Sequence, residues 1–208
     1  MRAVLVTQRL GEAAGYPEVR EGLDVRWGKV FRALDLLPVP MAQEVAPETY
    51  AALRPAGVVL TGGNDLACCS DAPLSRRRDA YERRVLRAAG THDWPIFAVC
   101  RGLQLLAVEA GGKLATVDGH VATDHALDVV PGAPFGALLG EVRSVNSFHR
   151  YAPAPTLAPG WTVCARGGDG SVEAIAHHSR RALGIMWHPE RYETVRPCDL
   201  ALLRAVLG

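Results

Sequence analysis

Three short apolar runs set the first half of the chain: residues 3–7, 57–61 and 95–99. Each leads into polar or glycine-rich turn residues or into a Cys-Arg-Gly step. Continuous runs of this length suit strands buried on both faces of a sheet. Between them the period changes to that of a helix. Val25, Val30, Leu34 and Leu37, with Phe31 beside them, mark a first helix. Residues 75–89 pair Arg78 with Glu82 and Asp79 with Arg83 at i,i+4 spacing. Residues 101–110 are almost wholly apolar and stop at Gly111-Gly112, a left-handed helix end. Strands alternating with helices predict a largely parallel sheet covered by helices on both faces.

The second half has a different texture. Residues 113–117, 127–130, 141–145, 161–164, 171–176 and 183–187 read as shorter strands between Pro and Gly turns. An amphipathic helix over 196–207 follows. No repeat, low-complexity tract or linker interrupts the pattern, so residues 1–208 read as a single domain.

Composition narrows the function classes. The 23 basic and 22 acidic side chains leave a formal charge of +1, which removes electrostatic nucleic-acid binding as a default. With 49% hydrophobic and 22% charged residues the chain is globular rather than disordered. The cysteines Cys68, Cys69, Cys100, Cys164 and Cys198 are odd in number, and none forms a C-x-x-C pair. Neither a disulfide framework nor a zinc ribbon is indicated. The apolar run at the N-terminus is too short for a secretory leader, and no stretch approaches a membrane span. The expectation is a cytoplasmic protein with no membrane partner.

Three local patterns carry chemistry. Cys100, in Phe97-Ala98-Val99-Cys100-Arg101-Gly102, stands where a strand turns sharply into a helix, the setting of a nucleophile elbow. The helix N-terminus behind it favours the thiolate. Taken alone, this pattern is better explained by a buried inert cysteine. His188-Pro189-Glu190 tips the balance. In an extended segment residues i and i+2 share a side, so Glu190 can orient His188 as the base for the thiol. The third pattern, Thr61-Gly62-Gly63-Asn64-Asp65, ends another strand at the sheet edge where ligands bind in α/β folds. The Gly63 and Arg101 N–H groups would form an oxyanion hole. A plain turn with Asp65 capping a helix is the simpler reading of these glycines by themselves.

Together the motifs Thr61-Gly62-Gly63, Val99-Cys100-Arg101-Gly102-Leu103-Gln104, Gly111-Gly112-Lys113-Leu114, Val145-Asn146-Ser147-Phe148-His149 and Trp187-His188-Pro189-Glu190 resemble the class I glutamine amidotransferase superfamily. The resemblance is to its γ-glutamyl hydrolase branch, peptidase C26. It implies a flavodoxin-like three-layer α/β sandwich: a mostly parallel central sheet, helices on both faces and a small antiparallel addition. It also implies cleavage of a γ-glutamyl amide, with Cys100 as nucleophile, His188 as base and Glu190 as its orienter. Gln104 with Asn146, Ser147 and Phe148 would hold the α-amino and α-carboxylate groups, and Asn64 falls in the same pocket. Ala98 departs from the family, where many members have glycine.

Further motifs resemble a subgroup, the γ-glutamyl-CDP-amidate hydrolases, which serve phosphoramidate modification of surface polysaccharides. These are Val6-Thr7-Gln8-Arg9, the Arg20 to Trp27 segment, Thr61 to Leu66, Gly119-His120-Val121-Ala122-Thr123 with His125, and Trp187 to Arg191. That resemblance implies a nucleotide-linked substrate and makes Arg9, Arg20, Trp27 and a loop bearing His120 and His125 candidates for its nucleotide side. It calls for no cofactor. The spacing of His120 and His125, with no clear acid partner, argues against a metal. Arg76-Arg77-Arg78 reads as a solvated helix start. The competing reading is a glutaminase subunit passing ammonia to a separate synthetase; a homodimer is a second possible assembly. Vicinal Cys68-Cys69 chemistry and a non-catalytic scaffold are weaker alternatives.

Overall fold

The computed structural model describes residues 1–208. The chain runs through β1 (Arg2–Val6), a hairpin of β2 (Arg9–Glu12) and β3 (Val19–Gly22), α1 (Trp27–Ala33) and β4 (Leu36–Pro40). It continues through β5 (Val58–Leu60), α2 (Pro73–Thr91), β6 (Ile96–Val99) and α3 (Arg101–Glu109). Then come β7 (Leu114–Thr116), β8 (Val121–Val129), α4 (Gly136–Leu139), β9 (Ser144–Phe148) and β10 (Tyr151–Pro153). The last elements are β11 (Trp161–Gly167), β12 (Val172–His177), β13 (Ala182–Ile185) and α5 (Pro197–Leu207).

Nine strands form one sheet in the order β4-β1-β5-β6-β13-β12-β11-β8-β9. Strands β4, β1, β5, β6 and β13 pair in parallel. The remaining four extend the sheet antiparallel. The apolar runs are continuous because successive side chains feed two separate cores. In β1, Val4 and Val6 join the core under α1 and α5, whereas Leu5 joins the one under α2 and α3. β6 repeats this, with Phe97 and Val99 on one side and Ala98 on the other. Three layers result. The chain turns from β4 on one side of β1 to β5 on the other, the switch in strand order beside which α/β proteins bind ligands.

Several element boundaries differ from the sequence expectation. The first helix stops at Ala33, because Asp35 takes a left-handed backbone (φ 54°) and the chain re-enters the sheet as β4. Leu37, expected on that helix, is an exposed position of an edge strand that also accepts Pro38 and Pro40. The strand expected at 127–130 begins at Val121, and the one expected at 141–145 lies at Ser144–Phe148. The β2–β3 hairpin and β10 have too few apolar residues to show in the pattern.

Candidate active site

Cys100 sits between β6 and α3 with φ 53° and ψ −107°, a conformation disfavoured for any residue with a side chain. Both of its backbone groups are held: its N–H donates to the Ile185 carbonyl at 2.7 Å, and its carbonyl accepts from the Gln104 N–H at 3.0 Å. Two residues on, a Cβ at Gly102 would lie 2.5 Å from the Leu60 carbonyl oxygen, so only glycine lets α3 start against β5. The methyl of Ala98 is accommodated, fully buried in the core with Leu103 and Leu106. Burial pushes the Cys164 thiol up to about 12 and raises that of Cys198. Burial and the Cys68 thiol push Cys69 up to about 12, which argues against vicinal thiol chemistry.

His188 follows β13 and is buried. The extended geometry expected through Glu190 is not what forms: Pro189–Arg191 is a 3-10 turn. That turn still brings Glu190 Oε1 within 2.7 Å of His188 Nδ1. The bond commits Nδ1 and leaves Nε2 for the thiol. Burial opposes a charge on this ring, but the Cys100 sulfur and the Glu190 carboxylate outweigh it and push the imidazole up to about 9. A Cβ at Gly62 would lie 2.7 Å from His188 Cε1 and 3.6 Å from Cys100 Cβ, so Gly62 supplies the space in which ring and thiol meet.

Beneath the Thr61-Gly62-Gly63 turn lies a feature the sequence did not reveal. Arg78, expected in solvent, is fully buried on α2, while Arg76 and Arg77 are exposed. Its Nη1 donates to the carbonyls of Gly62 (2.9 Å) and Gly63 (2.8 Å), and its Nη2 to that of Thr61 (2.8 Å). With these carbonyls held by one guanidinium, Gly63 adopts φ +86° at the rim of the cavity that Cys100 lines. Arg101 supplies the first of the unpaired N–H groups of α3.

The Arg78 charge is balanced by the expected partner Glu82 at 2.9 Å, itself paired with the buried Arg101 guanidinium. Arg101 also pairs with Asp79, which therefore does not meet Arg83; Arg83 pairs with Glu109 at 2.6 Å. Burial lowers the Arg78 guanidinium to about 10. Glu82 is kept below its ordinary range because Arg101 and Arg78 outweigh its burial. Ser75, Arg78, Asp79 and Glu82 share one helix face by their spacing, a polar signal that could have flagged the network.

Two recesses meet at Gly63. A cavity of about 250 Å³ is lined by Gly63, Asn64, Cys100, Arg101, Gln104 and Phe148 among others. A crevice of about 40 Å³ on the His188 side is lined by Arg9, Asp24, Trp27, Gly63, Glu190 and Arg191 among others.

Placement corrects several expectations. Asn146 spends its amide on the histidine rather than on the cavity: His188 N–H donates to Oδ1 at 2.8 Å, and Nδ2 donates to the His188 carbonyl at 3.0 Å. Ser147 is fully buried, its hydroxyl donating to the His120 carbonyl. The Asn64 side chain bridges to the Leu10 N–H and carbonyl, both at 3.0 Å, and fastens the β2–β3 hairpin. Gln104 donates to the Tyr151 carbonyl at 2.8 Å from the cavity wall. Phe148 is the exposed member of its segment, edge-on to His188 at 5.8 Å.

On the crevice side Arg9 is in place and Arg191, overlooked as a site residue, lies over Phe148 at 4.3 Å. Arg20 pairs with Glu18 in solvent and lines neither recess. Trp27 is 1% exposed and stacked on Phe31, so it has no open face for a base. His120 and His125 line neither recess, because their segment forms β8 and its approach instead of a loop. They gather with His149 and Glu173, so the acid partner missing from the sequence is supplied by another strand.

The peptidase C26 family matches residues 28–190. Gamma-glutamyl-CDP-amidate hydrolase of Campylobacter jejuni is 31% identical over 189 residues, covering 89% of this chain and 88% of that protein. Gamma-glutamyl-gamma-aminobutyrate hydrolase PuuD of Escherichia coli strain K12 is 36% identical over 134 residues, 54% of this chain and 52% of the relative. The crystal structure of a glutamine amidotransferase from Thermotoga maritima shares the fold with a TM-score of 0.65 at 15% identity, over 91% of this chain and 76% of that one. No helix is long and apolar enough to cross a membrane.

Proposed function

The chain belongs to the peptidase C26 family, and from that premise we propose that it hydrolyses a γ-glutamyl-CDP-amidate to glutamate and cytidine diphosphoramidate, in phosphoramidate modification of surface polysaccharides. One observation carries the chemistry: a strained elbow cysteine faces an imidazole whose other nitrogen is bonded to a buried carboxylate at 2.7 Å.

In this reading the γ-glutamyl arm enters the larger cavity and the scissile carbonyl rests at Gly63. The Cys100 thiolate attacks the carbonyl carbon. The Gly63 and Arg101 N–H groups receive the oxyanion. His188, as imidazolium, gives its Nε2 proton to the departing nitrogen as the C–N bond breaks, leaving a glutamyl thioester on Cys100. The neutral ring then takes a proton from water as the water oxygen attacks the thioester. Collapse releases glutamate and returns the thiolate beside a protonated His188. Glu190 holds the ring and its charge throughout.

The leaving group lies in the crevice, where the guanidinium groups of Arg9 and Arg191 suit a diphosphate. Trp27 forms part of the crevice wall with its ring stacked on Phe31, whereas Arg20, His120 and His125 lie outside it. The family relationship and the 31% identity over most of both chains support the CDP-amidate as substrate.

The test is glutamate release from glutamine, γ-glutamyl peptides and γ-glutamyl-CDP-amidate. We expect kcat/KM for the CDP-amidate to exceed the others by roughly a hundredfold or more, equivalent to about 3 kcal/mol of transition-state discrimination. CDP should compete and AMP should not. Equal rates across the panel defeat the substrate assignment. Glutaminase activity that appears only with an added synthetase favours the ammonia-donating alternative.

A further inference from the structure

We propose that His120, His125, His149 and Glu173 bind one divalent transition-metal ion, with zinc the best fit, as a structural site that meets the Cys100 cavity at His149, a residue of its wall. The four residues offer ligand atoms that all lie within 4.8 Å of one another. Glu173 Oε1 lies 3.5 Å from His120 Nδ1, 3.7 Å from His125 Nε2 and 3.5 Å from His149 Nε2. Those separations are too long for good hydrogen bonds. They are close to the roughly 3.3 Å expected between neighbouring ligands of a tetrahedral zinc with bonds of about 2.0–2.1 Å.

Burial makes the arrangement expensive without an ion. Glu173 is wholly buried, and His149 and His120 nearly so. His125 Nε2, both ring nitrogens of His149 and Glu173 Oε2 are buried with no hydrogen-bond partner. A shared proton would give one short imidazole–carboxylate bond and leave the rest unsatisfied; a metal ion takes one lone pair from each group at once.

The outer contacts are those of metal-bound histidines. His120 directs Nε2 to Asp169 Oδ2 at 3.1 Å, and Asp169 is fixed by the Ser171 hydroxyl at 2.6 Å. His125 directs Nδ1 to the Ala126 carbonyl at 2.9 Å. Each contact commits the nitrogen that faces away from Glu173; of the nitrogens that face it, His125 Nε2 has no partner, and His120 Nδ1 has the Ser147 hydroxyl at 3.2 Å, which itself donates to the His120 carbonyl. Nitrogen-rich donors select zinc or a similar ion over magnesium or calcium. Four protein ligands leave no open position, so the role is structural.

Strand pairing builds the site. Residues five apart face opposite sides of a regular strand, which would separate His120 from His125. The register shift between Val121 and Thr123, with Ala122 at φ 54°, adds a residue and returns both to one side. His149 donates its N–H to the His120 carbonyl at 2.9 Å, and Glu173 arrives on β12. The ion would tie this region together directly behind Phe148.

Metal analysis of tag-free protein expressed with added zinc tests the proposal independently of any substrate. We expect about one zinc per chain, and less than about a tenth in His149→Ala and Glu173→Gln. Chelation should lower Tm, zinc should restore it, and cobalt substitution should give the ligand-field absorption of a tetrahedral site. Should the variants fail to fold, the wild-type comparison with and without metal decides. Wild-type protein with negligible metal and a Tm unmoved by zinc overturns the proposal; so does full zinc retention in folded variants, which means binding elsewhere.

Discussion

Asn146 grips the backbone of His188 at both ends of one residue, accepting from its N–H at 2.8 Å and donating to its carbonyl at 3.0 Å. The amide therefore sets where the imidazole stands. Asn146→Ala should lower kcat roughly 10- to 100-fold with little change in KM, and destabilise the fold by about 1–3 kcal/mol by leaving two buried groups unpaired. Steady-state kinetics with a thermal melt check this. A rise in KM at constant kcat would restore the substrate-holding role that the family resemblance implied.

Arg78 makes a second prediction. Arg78→Lys keeps the charge beside Glu82 but cannot fork to three carbonyls. The Gly63 N–H, proposed to receive the oxyanion, should lose its aim, with kcat falling on the order of 10²–10³-fold. Arg78→Met leaves Glu82 with Arg101 alone and the three carbonyls without their donor, and should also destabilise by about 1–3 kcal/mol. Comparing the melts and kcat values of the two variants separates charge from geometry. Near wild-type kcat in Arg78→Lys would show that the turn holds itself.

The space at Gly62 gives a third. In Gly62→Ala the methyl must displace the His188 ring, since 2.7 Å to Cε1 is below any relaxed contact. A shift of this size should cost about 10²-fold in kcat. The far-UV circular dichroism spectrum and oligomeric state should stay unchanged. Full activity would mean that ring and thiol are not held as described.

The pH behaviour follows from His188, raised from 6.5 to about 9 by the Cys100 sulfur and Glu190 against the opposing effect of burial. Proton donation to the leaving nitrogen needs the imidazolium, so kcat/KM should fall above about pH 9. The same shift stabilises the folded state below pH 6.5 and ceases to do so as pH rises through about 9. Its size is on the order of 3 kcal/mol. Tm measured across this window should fall in wild type relative to His188→Gln. Parallel curves would count against the ion pair.

The elbow, the turn and the His-x-Glu segment were legible because each is local: a strand end, a glycine pair and a spacing of two. What the sequence hid depends on phase and pairing. Three consecutive arginines look alike until helix geometry buries one of them. Glu173 lies in an apolar run and reads as a strand interior. His120 and His125 have the wrong parity for one side until a bulge corrects it. Asn146 sits in the expected segment, yet strand register turns its amide to the base.

The backbone of Cys100 has a consequence beyond catalysis. A residue with a side chain at φ 53°, ψ −107° stores roughly 1–3 kcal/mol that glycine would release. A copy of this gene freed from selection for turnover could thus become sturdier by a single base change, from cysteine to glycine, and lose its reaction in the same step. Among descendants that keep the fold as scaffolds, glycine is the residue to look for at the elbow.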